Sequence, residues 1–182
     1  MEFHLSNEDF KIILNICRSN KTEISGKMYF TKDGIKYCFK RWQQDEESLI
    51  VTQTKARINF NLQRLLEDMV WRVSYSDDDI YVIFHTHPGF LGAVGLSDAD
   101  REILKDLQEI ANQTKKPNLS SSAIQIVSGI VSRDKVGFFF YDPILKRYGR
   151  FKTFVNGKEI LPDFEADGSR NRITTNNQER DR

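Results

Sequence analysis

Two of the three histidines in this 182-residue chain, His85 and His87, stand one residue apart behind the run Ile80-Tyr81-Val82-Ile83-Phe84. The run is short, β-branched and aromatic, which predicts a buried strand. Residues two apart in a strand project from the same face. Both imidazoles therefore point one way, and Thr86 points the other. Pro88 cannot donate to a sheet ladder, so it marks the strand's end. The pair by itself also fits two hydrogen-bonded polar side chains at a strand terminus. Asp100 follows after a loop long enough to double back and bring the first turn of a helix beside that terminus. Two imidazoles and a carboxylate are the donor set of a catalytic zinc, which keeps its fourth position for water. A structural zinc is normally closed by four ligands, often thiolates, and Cys17 and Cys38 are too scattered for that. Ser97 and Asp100 have a second reading, because Ser-x-x-Asp at a helix start is the pattern of a capping box.

The elements needed to position these residues follow from periodicity. Ser6-Asn7-Glu8-Asp9 has N-cap chemistry, and Phe10, Ile13, Leu14 and Cys17 recur at helical spacing, predicting a helix from Glu8 to Asn20. Glu23–Phe30 and Ile35–Lys40 predict two strands around the turn signal Lys32-Asp33-Gly34. Leu49–Ile58 alternates weakly, as a strand would. Leu62, Leu65, Leu66, Met69, Val70 and Val73 mark an amphipathic helix whose stripe packs on a core. Ser97 opens a helix to Gln113. Ala123–Val131 and Lys135–Tyr141 predict a strand pair, and Tyr148–Val155 a last long strand turning at Asn156-Gly157 into Lys158–Ile160. The fold expected is α/β (α+β), a central mixed sheet flanked by helices. It occupies one domain, residues 1–162, followed by a polar, disordered tail over residues 163–182.

Composition narrows the function. A formal net charge of +1 leaves no basic stripe of the kind that grips nucleic acid; the cluster at Lys146, Arg147 and Arg150 is too small to be one. Cys17 and Cys38 form no CxxC pair and no disulfide framework, and read as reduced thiols in a core. Residues 1–9 have no apolar stretch of a signal peptide, and no run nears the ~20 apolar residues of a membrane span. The expectation is a cytoplasmic protein that binds neither membrane nor nucleic acid.

His85-Thr86-His87-Pro88 followed by Ser97-x-x-Asp100 resembles the JAMM motif of the JAB/MPN metalloprotease family. That motif also carries a glutamate on the strand after the first helix, where Glu23 precedes Ile24-Ser25-Gly26. The order of elements is similar as well, over roughly residues 5 to 155. Nine residues, Pro88 to Leu96, separate His87 from Ser97, two more than the family's usual spacing, and the surplus falls in a glycine-rich stretch. The resemblance implies an MPN/JAB-like fold and one catalytic Zn²⁺ per chain on His85, His87 and Asp100. It further implies Glu23 as general base and then acid, with Ser97 donating to the oxyanion. The implied substrate is an isopeptide or peptide bond after the C-terminal glycine of a ubiquitin-like protein or its conjugate, contacted by Arg41–Ile58 and Gly89–Gly95. The compact chain is similar to stand-alone bacterial members. Several of those travel with relatives of ubiquitin-activating and ubiquitin-conjugating enzymes, some in antiphage operons. Two alternatives accompany this expectation: a metal-free scaffold of the same fold, and a DNA-associated protein similar to the RadC group.

Overall fold

A computed structural model of the chain describes residues 1–44, 49–50, 57–58, 67–71, 79–88, 93–113 and 124–170. The elements are β1 (Glu2–Leu5), α1 (Asn7–Arg18), β2 (Ser25–Asp33), β3 (Lys36–Gln44), β4 (Leu49–Ile50), β5 (Arg57–Ile58), β6 (Ile80–Thr86), α2 (Asp98–Gln113), β7 (Gln125–Val131), β8 (Val136–Asp142), β9 (Arg147–Arg150), β10 (Lys152–Val155) and β11 (Lys158–Ile160). Residues 67–71 are also helical. Among the described residues, nine strands form one mixed sheet in the order β11-β10-β1-β3-β2-β6-β7-β8-β9, and β4 pairs with β5 separately. The chain is a mixed α+β protein, as expected.

The alternation along β6 divides the core in two. Ile80, Val82 and Phe84 face a cluster with Ile13, Leu14, Ile16 and Cys17 of α1. Tyr81 and Ile83 face a second cluster with Leu104, Leu107 and Ala111 of α2. The sheet curls around the first cluster. Phe3 of β1 stacks on Phe138 of β8 with ring centroids 4.1 Å apart, although four strands separate β1 from β8 in the sheet. The amide of Phe151 donates to the Phe138 carbonyl at 2.9 Å, helping to close the curl. Gly26 is required where β2 crosses: a Cβ there would sit 2.1 Å from the Gln43 carbonyl oxygen and 2.9 Å from the Phe84 ring.

Four expectations need correction. The strand expected from Glu23 begins at Ser25, so Glu23 lies in the approach to β2. The strand β1 was not expected: its four residues are too short for a periodic signal, yet Phe3 and Leu5 are buried and it is held on both sides by parallel partners, β3 and β10. Tyr148–Val155 is two strands, because the chain leaves β8 after Arg150 and pairs with β1 from Lys152 onward; a change of partner has no hydrophobic signature. The domain extends beyond residue 162. Ala166 is buried in the second cluster, and Glu165 and Glu159 both pair with Arg150.

The remainder of the tail, residues 171–182, lies outside the described residues. So do residues 61–66 and 72–73 of the expected middle helix, the loop 89–92, and 45–48 and 51–56 of the expected substrate-facing segment. Among the described residues no helix is long and apolar enough to cross a membrane. Cys17 and Cys38 are free thiols, Cys17 buried and Cys38 partly so.

Candidate metal centre

The end of β6 is clamped by both neighbours. Ser25 of β2 is the antiparallel partner of His85, and the pairing runs one residue further, with the Thr86 amide donating to the Ile24 carbonyl at 2.9 Å. On the other side, β7 runs parallel, and the His87 amide donates to the Val131 carbonyl at 2.8 Å. Continuing the β2–β6 register brings Glu23 opposite His87. Side chains directly opposite on antiparallel strands share a face, so Glu23, Ser25, His85 and His87 all project toward the α2 side. Thr86 points the other way, as expected. It is fully buried, and its hydroxyl accepts a hydrogen bond from the Ile24 amide at 3.0 Å, which fixes the peptide next to Glu23.

The imidazoles meet at the mouth of this face. His85 Nε2 lies 3.1 Å from His87 Nε2 and 3.5 Å from Asp100 Oδ1. His87 Nδ1 is 2.7 Å from the Ala93 carbonyl oxygen. A carbonyl only accepts, so His87 Nδ1 carries a proton and donates it to Ala93, and His87 Nε2 is the atom that faces His85. Burial drives the pKa of His85 down to about 4, against the pull of the Asp100 carboxylate and with a further push from His87. The ring is neutral at physiological pH, the form a metal ligand needs.

Asp100 arrives on the first turn of α2. Its Oδ2 accepts from the Ser97 amide at 2.8 Å and from the Ser97 hydroxyl at 2.7 Å, and its own amide donates to Ser97 Oγ at 3.2 Å. The capping reading of Ser-x-x-Asp is realised: Oδ2 accepts from Ser97 at the helix start, while Oδ1 faces His85. Glu23 is half-buried, and burial raises its carboxyl pKa above the usual range; His87 opposes the shift and Asp100 adds to it. That mutual influence puts all four titratable groups in one field. Ser97 sits at the rim, bonded to Asp100.

Sequence reasoning missed the parts that hold the loop between His87 and Ser97. The Arg133 guanidinium donates to the Pro88 carbonyl at 2.9 Å, and Arg18 of α1 donates to the Arg133 carbonyl at 2.7 Å. Arg101 of α2 donates to the Leu96 carbonyl at 2.9 Å. No sequence signal marks an arginine whose partner is a distant carbonyl.

Among the described residues no group of three or more His, Cys, Asp or Glu side chains already stands as a metal cage. His85 instead touches His87 and Asp100 pairwise. The donor chemistry nevertheless suits Zn²⁺. Tetrahedral zinc with bonds of about 2.0–2.1 Å to nitrogen keeps neighbouring donor atoms about 3.3 Å apart, and the separations of 3.1 and 3.5 Å lie on either side of that value. The Ala93 contact on His87 is of the kind an imidazole makes through its second nitrogen when the first holds a metal, and would suit that role.

No family model and no curated protein matches the sequence. Among solved structures, the chain is similar to the solution structure of protein DSY2949 from Desulfitobacterium hafniense, at 13% identity and a TM-score of 0.46, covering 87% of this chain and 94% of that one.

Proposed function

We propose that this chain is a zinc-dependent peptidase of the JAB/MPN type that cleaves after the C-terminal glycine of a ubiquitin-like protein or its conjugate. The observation that carries the proposal is that His85, on the sheet face, contacts both His87 and Asp100 of α2, with Glu23 opposite His87 in the continued β2–β6 register. His85, His87 and Asp100 would hold the ion. Bound zinc would supply a Lewis acid strong enough to make water ionise near neutral pH.

The chain's own groups then handle the protons. Glu23, with its carboxyl raised by burial, takes a proton from the attacking water at a carboxylate oxygen. It returns that proton to the departing amine as the C–N bond breaks. The Ser97 hydroxyl turns from Asp100 toward the substrate carbonyl and donates to the oxygen as negative charge develops there. Thr86 keeps Glu23 in place by holding the Ile24 amide. A glycine-tailed substrate suits the site because only glycine lets a backbone pass close to a buried centre. Two unpaired thiols and the lack of a membrane-crossing helix among the described residues support a cytoplasmic setting. A ubiquitin-like conjugation pathway, of the kind used in antiphage defence, would supply the substrate.

The test uses a fusion of a glycine-terminated ubiquitin-like domain to a reporter. The wild-type protein with one equivalent of zinc releases the reporter. Glu23→Ala slows release by about 10²–10⁴-fold, the usual contribution of a positioned acid–base group, and still binds zinc. Cleavage at the wild-type rate by Glu23→Ala would remove Glu23 from the mechanism. One observation favours a second reading, a metal-free module of the same architecture: His85 and His87 satisfy each other directly. Purified protein that takes up no zinc would favour that reading.

A further inference from the structure

The segment after Pro162 fastens the loop that orients His87. Val94 immediately follows Ala93, whose carbonyl holds His87 Nδ1 at 2.7 Å. Both backbone groups of Val94 are gripped by the segment. Its amide donates to Asp163 Oδ2 at 2.8 Å, and its carbonyl accepts from the amides of Asp163 at 3.0 Å and Phe164 at 3.1 Å. The other carboxylate oxygen of Asp163 pairs with Lys135, the residue immediately before β8. The Val94 side chain is fully buried, in space that Gly137 leaves open: a Cβ on Gly137 would lie 2.8 Å from it. Phe164 packs just as closely over Gly95, where an added Cβ would stand 2.8 Å from the phenylalanine's own. Three hydrogen bonds to the Val94 backbone and two glycine-dependent contacts therefore converge on the two residues beyond Ala93, while an ion pair holds Asp163 to Lys135.

We infer that Asp163 is a positioning residue for His87. A single carboxylate ties β8, through Lys135, to the Val94 amide, and so sets the Ala93 carbonyl that selects the His87 tautomer. Without Asp163 the Val94 amide loses its acceptor, the Ala93 carbonyl drifts, and the His87 proton is free to move to Nε2, where it blocks the lone pair. For its consequence in metal affinity the inference rests on His87 being a ligand. For its consequence in ring tautomer it does not.

The experiment has two readouts on the full chain. The first is ¹⁵N NMR of the metal-free protein, whose three histidines are resolvable by single His→Gln variants. Wild type shows His87 protonated on Nδ1. Asp163→Ala shifts His87 toward a tautomer mixture and leaves His4 unchanged. The second is zinc affinity by chelator competition, which falls about 10-fold in Asp163→Ala, the low end of the cost of removing a ligand's own outer partner, because Asp163 acts on His87 through Val94 and Ala93. Asp163→Asn keeps an acceptor for Val94 and recovers most of the affinity. Glu165→Ala breaks the Arg150 pair in the same segment without touching Val94, and serves as the control for loss of stability alone. An unchanged His87 tautomer in folded Asp163→Ala overturns the inference, and so does an equal change in Glu165→Ala. A tautomer change in a protein that binds no zinc even as wild type upholds the inference and refutes the metal reading instead.

Discussion

The chain carries the same four-residue device twice. Ser6-Asn7-Glu8-Asp9 starts α1, and Ser97-Asp98-Ala99-Asp100 starts α2. In both, the serine amide and hydroxyl donate to one carboxylate oxygen, and the aspartate amide donates back to the serine hydroxyl. The distances are 3.1, 2.7 and 3.0 Å at α1 and 2.8, 2.7 and 3.2 Å at α2. Locally the two boxes are interchangeable. What separates them is the other carboxylate oxygen. At α2 it lies 3.5 Å from His85, at the end of β6. The remaining histidine, His4, is bonded to Glu2 and stacked on Phe154, so α1's box has no imidazole to serve. A capping motif becomes a candidate ligand only through what the sheet places in front of it.

Neutralising each aspartate in turn separates the two boxes most strongly. Asp100→Asn lowers zinc affinity by more than about 100-fold, beyond the range set by losing an outer partner. Asp9→Asn leaves it unchanged. Chelator competition on both variants measures this, and equal affinities would make the α2 box a cap and nothing more.

Acid stability measured without added metal also distinguishes the two boxes. His85 has a folded-state pKa of about 4 against an ordinary 6.5, so below 6.5 the unfolded chain binds the extra proton. The stability contributed by its neutral, buried form is complete above about 6.5 and is lost as pH falls through about 4. The Asp100 carboxylate pulls that pKa upward. Asp100→Asn therefore lowers the folded-state pKa further and extends the loss to below about pH 4, whereas Asp9→Asn does not extend it. Urea unfolding carried below that pH reads both variants.

The smallest effect tests the likeness of the boxes. Ser6→Ala and Ser97→Ala each cost about 0.5–2 kcal/mol of stability, the usual value of an N-cap. Chemical denaturation at neutral pH would show the two costs to be similar. A markedly larger cost at Ser97 would mean that the box at α2 also braces the histidine pair.

Much of the fold was legible because it depends on local rules. The β-branched run before His85 predicted β6, Ser6 and Ser97 predicted where the helices begin, and Asn156-Gly157 predicted the last hairpin. The candidate site was legible for a similar reason, since the i, i+2 spacing of His85 and His87 survives in any strand. Glu23 was legible in position, although its backbone lies two residues ahead of β2. The elements that escaped notice are those whose energy comes from elsewhere in the chain. β1 is too short to stand alone and exists because β3 and β10 flank it. The segment 163–170 is polar in sequence, yet Asp163 finds Lys135 and Val94, and Ala166 finds a core.

The sequence by itself determined which side chains could bind a metal, which face of β6 carries them, and that Asp100 opens a helix, because each follows from the two-residue period of a strand or the capping chemistry of a helix. Only the tertiary structure decided that Asp100, and not the equally well-built Asp9, stands before His85, and that Ala93, held from beyond the expected end of the domain, orients His87. Those outcomes depend on how strands from distant parts of the chain align in one curled sheet. Their alignment is set by the burial of two separate clusters, and no local pattern encodes it.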